Sequence, residues 1–112
     1  LDLARTGADI RACAPLHGVY DRPNFETETI HASVLVLHGW DDPLAPPEAL
    51  QALAAELSAH CADWQVLGFG HTGHAFTNPN AQDRDGGMMY NARATARAWE
   101  ALTGFLAETL QN

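Results

Sequence analysis

A chain of 112 residues with 46% apolar side chains can bury one modest core and no more. It carries six arginines, no lysine and fourteen carboxylates, for a formal charge of -8. That balance argues against nucleic acid or an anionic membrane as a partner, since both require clustered positive charge.

Leu1 to Thr6 reads as the last turn of a helix, with Gly7 where a left-handed residue would stop it. Six residues cannot nucleate a helix of their own. The expectation is therefore a truncated larger domain. Ile10 to Leu16 reads as a short strand ending at His17-Gly18, although Pro15 is awkward inside a ladder. Val19 to Ala32 is a polar connection. Val34-Leu35-Val36-Leu37 is the clearest element, a β-branched and leucine run that suits a strand buried on both faces. It stops at His38-Gly39.

Pro46-Pro47 opens a helix where proline is tolerated, and Leu50, Leu53, Ala54 and Leu57 form one apolar stripe. Trp64 to Phe69 is a third strand. A loop runs from Gly70 to about Met89. Asn91 then caps a helix reaching about Leu110, with Trp99, Leu102, Phe105 and Leu106 expected inward. Arg93 and Arg97 fall on its wet face, with Glu100 within reach of Arg97. Strands alternating with helices predict an α/β layered fold around a parallel sheet.

Cys13 and Cys61 have neither metal-type nor disulfide-framework spacing, so both are expected to be reduced, in a cytoplasmic setting. No apolar run approaches the roughly 20 residues that cross a bilayer. The N-terminus also lacks the basic-then-apolar pattern of a signal peptide.

Reactive groups in open parallel sheets collect beyond the carboxyl ends of the strands. Two loops stand there, His38 to Pro46 and Gly70 to Pro79. A carboxylate on one and a histidine on the next can meet, because adjacent strands lie ~5 Å apart. A carboxylate so placed fixes the imidazole tautomer and stabilises the imidazolium. Acid before base is also the chain order of α/β-hydrolases.

The segment Val34-Leu35-Val36-Leu37-His38-Gly39-Trp40-Asp41-Asp42-Pro43, taken with His74-Ala75-Phe76-Thr77-Asn78-Pro79, closely resembles the dienelactone hydrolase family. Tyr90-Asn91 and Trp99 also fit the family's last helix. The resemblance implies Asp42 as the triad acid, His74 as the base, and a small ester or lactone as substrate. It implies a three-layer α/β-hydrolase fragment over residues 1–112, with about three mainly parallel strands and flanking helices. Ser33 departs from the proline common before that strand.

The family's nucleophile, Cys or Ser in a Gly-x-Cys/Ser-x-Gly elbow, has no counterpart here. Ser33, Ser58, Cys13 and Cys61 all lack the flanking glycines that a strained strand-to-helix turn needs. The chain alone is thus expected to be inactive. Without the nucleophile strand, Ile10 to Leu16 becomes an exposed edge, which predicts a homo-oligomer.

Asp42 could be a turn residue before Pro43, and Asp41 a solvated carboxylate. His38 suits a structural hydrogen bond. His71 rivals His74 as base, and the two could hold a metal, but no third ligand is spaced to close the site. Gly68 to Gly73 matches Gly-x-Gly-x-x-Gly, yet Phe76-Thr77-Asn78-Pro79 cannot open the helix a dinucleotide needs. No cofactor and no metal are expected. Cys13 reads as core. A non-catalytic, truncated or self-associating binding module is the alternative to a hydrolase.

Overall fold

The computed structural model describes residues 1–111. Its centre is a parallel sheet of β1 (Ala12–Cys13), β2 (Ser33–Gly39) and β3 (Trp64–Phe69), in that spatial order. Helix α1 (Asp2–Arg5) precedes the sheet, α2 (Pro47–His60) links β2 to β3, and α3 (Ala92–Thr109) closes the chain. A small antiparallel hairpin, β4 (Gln82–Asp83) and β5 (Met88–Met89), lies between β3 and α3.

β2 organises the layers. Its side chains alternate between faces, as a period of two requires. Val34 and Val36 join Ile30, Leu53 and Leu57 in one core, on the α2 side. Leu35 and Leu37 join Phe69, Phe76, Ala94, Ala98 and Phe105 in the other, on the α3 side. All four β2 residues are at most 2% exposed. Each contributes about 1.5–3 kcal/mol of burial. This is the three-layer α/β arrangement that the sequence predicts.

Several local expectations need correction. The expected strand Ile10 to Leu16 keeps only two ladder residues, followed by an isolated parallel bridge from Leu16 to Leu37. Arg11 and Pro15 offer carbonyls to Ser33 N and Leu37 N at 3.0 Å each. Pro15 has no N–H to donate in return, so the ladder breaks there.

Trp99 is 49% exposed rather than inward. The buried stripe of α3 runs through Ala94, Ala98 and Phe105, and Trp99 sits one residue past it, ~100° around the helix. Leu102 and Leu106 pack partly, as expected. No ion pair joins Arg97 to Glu100 among the described residues. The loop after β3 is also more ordered than its composition suggested, because Asp83 Oδ1 accepts Gly86 N at 2.9 Å and turns β4 into β5.

One buried ion pair was not visible in the sequence. Arg5 grips Glu56 with two hydrogen bonds of 2.8 Å, both side chains being 1% exposed. Thr27 Oγ1 donates to the same carboxylate at 2.7 Å, and Arg5 also donates to the carbonyls of Tyr20 and Asp21. This knot fastens α1, the extended connection 19–32 and α2 together. No helix among the described residues is long and apolar enough to cross a membrane.

Candidate active site

β2 and β3 end side by side, Gly39 opposite Phe69. The backbone contact continues past the strands, with Trp40 N donating to Phe69 O at 2.8 Å and Asp41 N to Thr72 O at 2.9 Å. The two following loops are thereby zipped together before either reaches its functional residue.

Three glycines permit this approach. A Cβ on Gly39 would collide with the carbonyl oxygens of Gly73 and Thr72, and one on Gly73 with the carbonyl of Gly87. Gly87 itself has φ +78 and lies against Pro43. The loop after β2, the loop after β3 and the hairpin turn therefore stack backbone on backbone.

On this platform Asp42 turns inward and is 2% exposed. Its Oδ1 accepts Leu44 N at 2.9 Å, an Asx turn that fixes the carboxylate plane. Its Oδ2 lies 2.8 Å from His74 Nδ1. A carboxylate only accepts, so this bond calls for the proton on Nδ1, which in a neutral ring leaves the lone pair on Nε2. The His74 side chain is 19% exposed, whereas that of Asp42 is fully enclosed.

The base loop is moored on both sides. His74 N donates to Gly87 O at 2.7 Å, and Met89 N donates back to His74 O at 3.3 Å. Phe76 is fully buried, its ring 5.5 Å from that of Phe69. The Phe76 carbonyl accepts from Asn91 N at 3.0 Å and from Thr95 Oγ1 at 2.9 Å. Asn91 Oδ1 also accepts Ala94 N at 2.9 Å, capping α3 as the sequence predicted.

The other candidates separate cleanly. His38 is buried and its Nδ1 lies 3.1 Å from Tyr20 Oη, the structural bond expected of it. Burial lowers the His38 pKa, with Asp42 opposing in part, and burial raises that of Tyr20. Asp41 and His71 are exposed. His71 belongs to no metal-holding group of His, Cys, Asp and Glu among the described residues. The Gly68 to Gly73 segment leads into a turn, not a helix.

Cys13, Cys61 and Ser33 lie at the opposite end of β2 from Asp42. Cys13 pairs with Val34, Cys61 bridges to Ile30, and Ser33 starts the strand. Ser58 is exposed on α2. A cleft of about 510 Å³ beside the base loop is lined by His71, Thr72, Asn91, Arg93 and Arg97, but not by Asp42 or His74.

One neighbour escaped the sequence reading. His17, just past the isolated Leu16 bridge that follows β1, has its ring 5.6 Å from that of His74. The signal available was its position, a histidine before glycine at a third strand end.

Residues 1–110 match the dienelactone hydrolase family. A dienelactone hydrolase-like promiscuous phosphotriesterase, P91, from metagenomic libraries is 37% identical, with a TM-score of 0.82 over 96% of this chain and 46% of its own. A structure described as m3DLH is 35% identical, with a TM-score of 0.84 and the same coverage, 96% and 46%. A structure from Klebsiella pneumoniae subsp. pneumoniae MGH 78578 is 19% identical, with a TM-score of 0.65 over 91% of this chain and 42% of its own, and shows the fold alone. The chain spans about half the length of these solved relatives. No curated protein matches it.

Proposed function

Because the chain belongs to the dienelactone hydrolase family, we propose that it supplies the acid and base of a nucleophile-His-Asp triad for cleaving small esters or lactones. Residues 1–112 would then form the C-terminal part of one α/β-hydrolase domain. The observation that carries it is the 2.8 Å contact between His74 Nδ1 and a buried carboxylate oxygen of Asp42.

In this scheme a thiol or hydroxyl from residues outside these 112 gives its proton to His74 Nε2 as it attacks the ester carbonyl. Asp42 stabilises the imidazolium. The imidazolium then protonates the departing alkoxide, leaving an acyl-enzyme. Water repeats the sequence, with His74 taking its proton and returning it to the nucleophile as the acid is released. Backbone N–H groups near the nucleophile would hold the oxyanion, and they too come from outside the chain.

The 112 residues alone should therefore turn over a chromogenic short-chain ester no faster than buffer. Supplying the amino-terminal half of a solved relative should restore turnover, and His74→Ala should abolish it. Turnover by the isolated chain that disappears in His74→Ala would overturn the external nucleophile. A phosphotriester belongs in the same assay, since the relative sharing 37% identity is described as a phosphotriesterase.

A further inference from the structure

A third segment reaches this rim beside the ends of β2 and β3. The segment after β1 bridges to β2 again at Leu16 and reaches His17, whose N–H donates to Leu37 O at 2.9 Å. Its backbone sits at φ +40, a left-handed conformation that disfavours any residue with a Cβ. His71 and Ala75 are the other described non-glycine residues with positive φ, and both flank the base on its loop. Backbone strain of this kind clusters where structure is committed to a site.

The His17 side chain reaches across to the base loop. Its Nε2 lies 2.7 Å from Thr77 Oγ1, three residues past His74. Its ring stands edge-on to that of His74 at 5.6 Å and 70°, and to that of Phe76 at 5.2 Å and 81°. The titratable groups facing it are His74 and Asp42. Burial holds the His17 imidazole below its ordinary pKa, the charge of His74 lowers it further, and Asp42 opposes in part. A neutral ring can thus lie against an imidazolium without adding a second positive charge.

The geometry points to His17 as a positioning residue for the base. By bonding Thr77 and packing edge-on against His74, it keeps that imidazole turned with Nδ1 on Asp42. Asp42 holds one edge of the ring, and His17 limits its rotation from the side. The inference rests on the reading of His74 as the base.

The test is the tautomer ratio of His74, read from imidazole ¹⁵N shifts of the 112-residue chain at neutral pH. The unaltered chain should favour the Nδ1–H form by at least about tenfold, a ratio that a hydrogen bond to a charged group supports. His17→Ala and Thr77→Val should each cut that ratio by about threefold or more, with amide spectra still folded. His17→Gln, which can still bond Thr77, should recover much of it. Should His17→Ala unfold the chain, the shape-preserving Thr77→Val decides. Folded variants with the unaltered ratio would overturn the positioning role alone. Mixed tautomers in the unaltered chain would remove the Asp42 pairing, and with it both the role and the proposed function.

Discussion

Asp42 and His74 stand thirty-two residues apart in sequence and 2.8 Å apart in space. The in-register parallel pairing of β2 with β3 closes most of that distance, and three glycines close the rest. The contact is a product of sheet register before it is a product of side-chain chemistry.

Asp42 has two duties, and they can be separated. Asp42→Ala removes the acceptors for both Leu44 N and His74 Nδ1, and should cost about 1–3 kcal/mol in urea unfolding. Asp42→Asn can keep the bond to Leu44 and should cost less. In a complemented enzyme either change should lower kcat on the order of 10⁴-fold, the scale of losing the imidazole's orienting carboxylate. Both measurements unchanged would favour the non-catalytic module.

Glu56→Ala strands the Arg5 guanidinium in the core, and should cost about 3–5 kcal/mol, a large share of a small domain's stability. Chemical denaturation measures it.

The same pair sets an acid limit. Burial alone pushes the Glu56 carboxyl up, but hydrogen bonds from Arg5 and Thr27 and the charge of Arg5 outweigh it, so its pKa lies below that of an ordinary glutamate. The unfolded state then binds the proton more readily. The stabilisation is fully present above the unfolded value and is lost as pH falls from there through the folded one. Urea midpoints should drop over that acid window, and the drop attributable to Glu56 should vanish in Glu56→Gln.

Gly39→Ala and Gly73→Ala should each cost about 1–3 kcal/mol and broaden or shift the His74 ring resonances, because the new methyl meets backbone carbonyls. Gly104 on α3 has nothing within 4 Å of an added Cβ. Gly104→Ala should stabilise by about 0.5–1 kcal/mol. Thermal melts of the three variants check both signs.

β1 lies at the edge of the sheet. We propose that this edge drives self-association at micromolar concentration, as unpaired strands do. Its shortness and Pro15 work against that pairing. Sedimentation velocity decides, and a monomer across that range ends the idea.

The layered fold was legible because it rests on local patterns, apolar runs ending at turns. Loop residues just past two strand ends offered a carboxylate and a histidine, and only the family resemblance singled out Asp42 and His74 among them. What stayed hidden depends on long-range geometry. The spacing of Arg5 and Glu56 carries no periodic signal, and charged residues are rarely buried, so their pairing could not be anticipated. His17 looked like punctuation after a strand until β1 was laid beside β2. Trp99 shares the i, i+3, i+7 spacing of Leu102 and Leu106, yet the packed face of α3 is centred on the small residues Ala94 and Ala98 together with Phe105. The hairpin after β3 was masked by glycines and aspartates that read equally well as loop.

Because Asn91 both caps α3 and donates to the Phe76 carbonyl, fraying of that helix's first turn must loosen the segment bearing His74. The two should open as one cooperative unit. Their amide protons would then exchange with deuterated solvent at a shared rate, well ahead of those buried in the central strand.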